Sequence, residues 1–473
     1  MKHYAPATVL KWAALFSIVT FVFSACQKQM DFPATKKELP SAAKNTKDQG
    51  HLKQAKTFSS DVVVSWINLQ LQMNKAPLPA GTAGHANDRC QAYCGVALYE
   101  SVVQGMPAYQ SLYGQLTDFP AMPSTEPGMA YHWAESANAA LAEMNRLLFP
   151  ATADANKTAM INLENSFQSI YATEVDAATL ERSRVFGIEV ATRVFKWASA
   201  DGSANVNGPY VFPQGTGLPP TGTGLWVPTS PPPAAIAGPF TWQRRLLVPG
   251  SSDGTALAPP PPFSAVPGSP FYNMVKEVYD ASATPATLTA DQKAMANYFK
   301  DVPGYSPGGT YVAIMSQALE LTKPTLDMAA LTYVKVGLAQ HDATIVLFTD
   351  KYKFNLVRPL TYIRAYIDPN WVTYVPTPNH PEFPSGHSTT GGAVLGMMSK
   401  IFGENFKFTL HTYDYSPLNY PPRSYTSFTQ LSNEISDSRF YGGLHYKATL
   451  EKSTAQGAKV AENILNKIRF KKG

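Results

Sequence analysis

From about residue 60 to the end of the chain, apolar residues return at helical spacing almost without interruption, and few stretches alternate as strands do. The closing segment shows it most clearly: Val460, Ala461, Ile464, Leu465 and Ile468 share one face, while Lys and Glu occupy the other. Near residue 60, Ser60 is placed to cap a helix along which Val62, Trp66, Leu69 and Met73 recur. The same reading predicts helices over Asp88 to Val103, Met129 to Leu148, Asp154 to Glu174, Ala177 to Ala200, Tyr272 to Ala281 and Ala290 to Lys300. It continues with Tyr311 to Leu321, Ala329 to Val357, Ser385 to Phe402, Phe428 to Tyr441 and Tyr446 to Ile468. The expected fold class is therefore all-α, a large helical bundle formed by one domain over residues 58–473. With 44% hydrophobic and 12% aromatic residues in 473, the chain can fill a sizeable core.

One segment breaks the helical pattern. Gly202 to Pro270 is dense in Pro, Gly, Ser and Thr, including Pro231 to Pro233 and Pro259 to Pro262. A loop this long inside a compact domain is either functional or a linker. Trp226, Trp242, Leu246 and Leu247 supply apolar anchors, so the loop is expected to pack across the bundle. The alternative is a linker between two helical domains.

The N-terminus has the order of a secretory signal. Lys2 and Lys11 precede an apolar run, Trp12 to Phe23, followed by Ser24, Ala25 and Cys26. The run is shorter than the roughly 20 residues that span a bilayer. Cysteine at the cleavage point resembles a bacterial lipobox, with Phe23 where Leu is usual. Residues 1–26 are thus expected to export the chain to the bacterial envelope and anchor it to a membrane through lipid on Cys26. Residues 27–57, rich in Lys, Gln, Ser, Thr and Pro, read as a flexible tether. Cys90 and Cys94 stand four apart in a predicted helix, a spacing that disfavours a disulfide. They read as two buried thiols, since His85 alone is weak support for a metal pair. The net charge of +5 is small and partly carried by the Lys-rich start, and no basic stripe interleaved with aromatics appears, so nucleic acid is not an expected partner.

Three short segments between residues 351 and 445 combine cations, small residues and histidines. In the first, Lys351 and Arg358 lie seven residues apart, before Pro359, and are expected to project from one face of one helix that Pro359 ends. Two like charges on a shared buried face repel unless an anion lies between them. In the second, His380-Pro-Glu-Phe-Pro-Ser385-Gly386-His387-Ser, Ser385 can cap an apolar helix whose first amides favour an anion. His387 adds a group that exchanges protons near neutrality. In the third, Ser438-Arg439-Phe-Tyr-Gly442-Gly443-Leu-His445, the glycines break a helix so that Arg439 and His445 can approach one oxyanion from different sides. Alone, each segment has an ordinary explanation: a solvated basic face, a capped turn, a paired helix end.

Together, Lys-x6-Arg-Pro, Pro-Ser-Gly-His and Ser-Arg-x5-His resemble the three-part signature of the superfamily of vanadium-dependent haloperoxidases and type 2 phosphatidic acid phosphatases. Weaker features extend the resemblance: Arg89 to Tyr99, Gly224-Leu-Trp226 and the Asp301-Val-Pro-Gly304 turn. The resemblance implies that His445 bonds vanadium in a peroxidase or attacks phosphorus in a phosphatase, with His387 as the acid-base group. It implies that Lys351, Arg358 and Arg439 hold the equatorial oxygens of vanadate, or of phosphate in the same site, with Ser385 and the Gly386 amide completing the shell. Three fixed cations suit a trigonal-bipyramidal anion in either reaction. The family often has an acid four residues after the last histidine. Here that residue is Thr449; Asp437 and Glu451 are near in sequence, and Asp301 is a candidate partner of Arg439.

Two enzymes and a binding protein follow from this. The peroxidase oxidises bromide or iodide with hydrogen peroxide, which Lys351 polarises, and His380 tunes the halide choice. The second is a periplasmic acid phosphatase that takes a phosphomonoester through a phosphohistidine. The third is a lipid-tethered oxyanion binder without turnover. Chain length and the extra N-terminal helices favour the peroxidase.

Overall fold

A computed structural model describes residues 53–75, 87–206, 223–229, 236–282, 287–300, 307–413 and 420–473. The signal segment, most of the tether, His85 and the turn at residues 301–304 lie outside the described residues. The elements in chain order are α1 (Asp61–Lys75), α2 (Asn87–Val102), α3 (Trp133–Leu148), α4 (Asp154–Tyr171), α5 (Ala177–Ala198), α6 (Pro270–Ser282) and α7 (Ala290–Tyr298). Then come α8 (Pro307–Thr322), α9 (Leu326–Phe354), α10 (Pro359–Tyr366), α11 (Gly386–Phe402), β1 (Phe408–Leu410), β2 (Arg423–Tyr425), α12 (Phe428–Tyr441) and α13 (Lys447–Lys467). The fold is all-α. β1 and β2 form an antiparallel pair in which Phe408 faces Tyr425, too short for a period-two pattern to show in sequence. Ala55–Thr57 form a 3₁₀ turn with Ala55 buried, so folded structure starts slightly before residue 58. No helix among the described residues is long and apolar enough to cross a membrane.

Most helices lie close to where the periodicity puts them, and their ends have local causes. α3 starts at Trp133 rather than Met129, because Gly128 takes positive φ and the His132 side chain caps the helix by accepting from Glu135 N–H. α7 opens with a reciprocal capping box between Thr289 and Gln292. The largest departure concerns the cation pair. α9 stops at Phe354, where Asn355 takes a left-handed conformation (φ 46°, ψ 40°), and Arg358 is the extended residue before α10. Lys351 and Arg358 therefore do not share one helix. Pro359 disfavours helical backbone at Arg358 and starts α10 at its first position instead of only ending α9.

α9, almost wholly buried, is the central post. It packs on α2 on one side and on α11 and α13 on another, while α3 packs on α5. The α11–α13 crossing requires glycine: a Cβ on Gly457 would fall 1.8 Å from Thr389 O, and one on Gly392 would fall 2.1 Å from Thr454 O. Cys90 and Cys94 are free and buried, and burial pushes the Cys90 thiol up to about 12. A second apolar cluster, with Phe271 and Val275 of α6, Leu356, Val357, Tyr362, Phe383 and Tyr446, sits beneath the signature segments.

The Pro-rich loop packs against the bundle where it is described. Trp226 is fully buried, its backbone N–H donates to Asn355 O, and Val357 N–H donates to Gly224 O, so the loop pairs with the peptide linking α9 and α10. Asp342 accepts from the N–H groups of Leu247 and Val248 (2.8 and 3.0 Å) and ties the loop's far end to α9. Trp242 is not an anchor: it is 53% exposed.

Candidate active site

The last turn of α9, the break before α10, the segment before α11 and the α12–α13 turn meet in one buried cluster. Lys351, Arg358, Ser385, Arg439 and His445 are at most 2% exposed and His387 is 8% exposed, while the Gly386 backbone at the start of α11 is partly open. All the signature residues expected from sequence are present in these segments.

Lys351 Nζ donates to the carbonyls of Pro381 (3.0 Å), Glu382 (3.3 Å) and Pro384. Burial, then the Arg358 charge, draw its pKa well below the ordinary lysine value. The ring of carbonyls favours the ammonium form. Arg358 spends four of its five N–H groups: Nε donates to His380 O (2.9 Å), Nη1 to Leu444 O (3.0 Å) and to His445 Nε2 (3.1 Å), and Nη2 to His380 Nδ1 (3.0 Å). Arg439 Nη1 donates to Phe299 O (2.9 Å), and the Phe299 backbone also acts on His387.

Ser385 caps α11, as its place after Pro384 indicated. Its Oγ accepts from Ser388 N–H (3.3 Å) and its own N–H donates to Ser453 Oγ (2.9 Å). The His387 carbonyl accepts from Tyr311 Oη (2.6 Å). Burial first, and then neighbouring cations, hold the pKa values of His380, His387 and His445 well below the ordinary histidine value. All three imidazoles are thus neutral near pH 7 in the absence of an anion. His380 Nδ1 lies between Arg358 Nη2 (3.0 Å) and the Pro381 carbonyl (3.1 Å): it accepts from the guanidinium in the tautomer protonated on Nε2 and donates to Pro381 O in the other.

The carboxylate that reaches His445 is Glu382, rather than Asp437 or Glu451. Glu382 Oε1 lies 2.9 Å from His445 Nδ1, 3.1 Å from Tyr446 N and 2.6 Å from Thr449 Oγ. Burial pushes the Glu382 carboxyl up to about 7, against the pull of Thr449, Arg358 and the Tyr446 N–H. The sequence did carry a signal for this residue, an acid inside the His-Pro-Glu-Phe-Pro-Ser-Gly-His motif. Its pairing with His445 is not legible from local spacing, because Glu382 is 63 positions away in the chain. Asp301, the proposed partner of Arg439, lies outside the described residues.

The tautomer of His445 follows from its neighbours. Nδ1 faces a carboxylate oxygen and carries the proton, whereas Nε2 faces an Arg358 N–H and presents its lone pair to the cations. Three buried cations, a capped helix start and a directed imidazole lone pair fit a tetrahedral oxyanion bonded through Nε2. They do not fit a bare metal ion. Among the described residues no group of three or more His, Cys, Asp or Glu side chains is placed to hold one.

A family model described as the VCPO second helical-bundle domain matches residues 331–471, which contain every signature segment. A solved structure described as the first bacterial vanadium-dependent iodoperoxidase superposes with a TM-score of 0.76 at 27% identity, covering 88% of this chain and 98% of that one. Apo- and holo-type bacterial vanadium-dependent chloroperoxidases share the fold, with TM-scores of 0.60 and 0.57 at 17% and 16% identity. These alignments cover 83% and 89% of this chain, and 95% and 93% of theirs. No curated protein matches the sequence. Residues 331–471 thus match the VCPO second helical-bundle domain, and the fold as a whole is similar to that of bacterial vanadium-dependent haloperoxidases.

Proposed function

We propose that the protein is a vanadium-dependent haloperoxidase that uses hydrogen peroxide to oxidise bromide or iodide. The observation that carries this reading is the directed Nε2 of His445 amid buried cations, within a fold aligned over nearly its full length to a vanadium iodoperoxidase. Vanadate, when bound, activates peroxide towards halide. Lys351, Arg358 and Arg439 hold the oxyanion and offset its charge, with Ser385 and the Gly386 amide at the α11 start. His445 supplies the bonding nitrogen. His387, neutral before the anion enters, takes up and returns the proton that peroxide gives up. Lys351, whose three N–H groups lie on the carbonyls of Pro381, Glu382 and Pro384, would offset the oxyanion's charge and would polarise its oxygens by turning one N–H away from those carbonyls.

The bromide and iodide preference rests on His380. Its imidazole lies in the cluster, with Nδ1 on Arg358 and its ring edge-on to Phe348. A histidine here makes the halide approach less apolar, and chloride is the hardest of the three halides to oxidise. The alternative, a phosphatase with His445 as nucleophile, is supported by the Glu382 contact, which makes the imidazole a better base and nucleophile. Export and lipid attachment at Cys26 belong to the same proposal and rest on the charged, apolar and small-residue order before it.

Protein reconstituted with vanadate is assayed for phenol-indicator halogenation at fixed peroxide with each halide, and vanadate-free protein for phosphomonoester hydrolysis. Bromide and iodide turnover without chloride turnover is the expected result. Phosphatase activity inhibited by vanadate, with no halogenation, selects the alternative, and oxyanion binding without either reaction selects a non-catalytic binder. His380→Phe is expected to change the halide ratio; unchanged ratios leave His380 only the task of holding Arg358.

A further inference from the structure

We propose that Glu382 is the positioning residue for His445, supplying from the loop before α11 the carboxylate that is missing from α13 at Thr449. The proposal rests on the reading of the cluster as an oxyanion site bonded through His445. Three donors converge on one oxygen of Glu382: the imidazole Nδ1 at 2.9 Å, the Tyr446 N–H at 3.1 Å and the Thr449 hydroxyl at 2.6 Å. The other oxygen, Oε2, is buried without a hydrogen-bond partner among the described residues. This one-sided arrangement aims the charge at His445 and at the peptide directly after it. An oxygen receiving three donors is best satisfied as a carboxylate.

Thr449 is central to the argument. It lies in the first turn of α13, where its hydroxyl reaches the carboxylate oxygen that faces Nδ1. An acid at 449 and a glutamate at 382 therefore compete for one place, and the chain fills that place with a glutamate and its donor. The exchange also links two parts of the pocket. The backbone carbonyl of Glu382 accepts from Lys351 Nζ while its side chain holds His445, so one residue sets both the cation and the bonding nitrogen. With Lys351, Arg358 and Arg439, the ionised Glu382 leaves the pocket a net charge of +2, the complement of a dianionic oxyanion.

Glu382→Gln, Thr449→Asp and the double variant are prepared, with folding checked by circular dichroism and thermal unfolding. Vanadate and phosphate affinities are measured by equilibrium dialysis, and the His445 ring nitrogens are observed by ¹⁵N NMR of histidine-labelled protein. Loss of the carboxylate at 382 is expected to weaken oxyanion binding at least about tenfold, the usual scale for losing the group that orients a ligating histidine. The double variant, with its carboxylate moved to 449, is expected to recover most of that affinity. A merely structural role predicts no such recovery. In wild-type protein without anion, the proton is expected on Nδ1, and Glu382→Gln is expected to move the ¹⁵N shifts of His445.

Unchanged affinity in folded Glu382→Gln, no recovery in the double variant, or a wild-type proton on Nε2 overturns the positioning role. Wild type that binds neither oxyanion overturns the oxyanion reading instead, while the ¹⁵N result still decides whether Glu382 holds His445.

Discussion

Removing Arg358 tests whether the cluster works by directed donors or by charge alone. The guanidinium is fully buried, spends donors on His380 O and Leu444 O, and reaches His445 Nε2 at 3.1 Å. In Arg358→Ala an oxyanion loses at least one charge-assisted hydrogen bond, worth about 1.5–3 kcal/mol. At about 1.4 kcal/mol per decade, binding should weaken by about tenfold to a hundredfold. Two effects oppose each other in the anion-free protein: the carbonyls of His380 and Leu444 lose a donor, while Lys351 and Arg439 lose a like-charged neighbour. The discriminating quantity is therefore the stabilisation that the anion adds. With vanadate at a hundred times the wild-type Kd, wild type gains about 2.7 kcal/mol, whereas a variant with tenfold weaker binding gains about 1.4 kcal/mol. Thermal unfolding with and without vanadate, beside direct dialysis, measures both. Arg358→Lys keeps the charge but loses the fork, and should fall between the two. Equal anion-induced stabilisation in Arg358→Ala and wild type would refute the claim that Arg358 holds the anion. Wild-type binding by Arg358→Lys would refute the claim that its geometry matters.

Gly457→Ala should destabilise the protein by about 3 kcal/mol or more, because its Cβ would fall 1.8 Å from Thr389 O and α11 and α13 would have to separate. Urea unfolding measures this, and a stability equal to wild type would mean that the helices do not cross as closely as described. Glu135, buried in α3, has its carboxyl pushed up to about 8, mainly by burial. The folded state therefore holds this proton over a range where the unfolded chain has released it, and stability falls as pH rises from about 4.5 to 8. Glu135→Gln should flatten that decline in urea unfolding at pH 5 and pH 8.5; an unchanged slope would refute it. Cys26→Ser should move the protein from the membrane to the soluble fraction, and retention in the membrane would reject lipid attachment at that residue.

Periodicity and motif spacing made much of the fold and most of the cluster readable in advance. α13 and the capped start of α11 declare themselves because their causes are local: an apolar stripe, and a Pro-Ser pair before an apolar run. What was not readable depended on contacts distant in sequence. The end of α9 at Asn355 depends on the Pro-rich loop pairing with residues 355–357, which no local window contains. Trp242 looked like an anchor because tryptophan is usually buried, but only the folded loop shows it facing outward. Glu382 was visible as a residue and invisible as a partner, since its role exists only after the α11 and α13 segments meet.

The break after Phe354 gives the pocket a mechanical character. Lys351 rides on α9, the post that ties into the N-terminal helices through α2, whereas Arg358 leads α10 into the separate apolar cluster built on α6. The two cations thus belong to different packing neighbourhoods joined by a short peptide that the Gly224–Trp226 segment clasps. An oxyanion held by both, as proposed, would act as a rivet across that seam. Its arrival should slow proteolytic nicking at the α9–α10 junction and at the clasp itself.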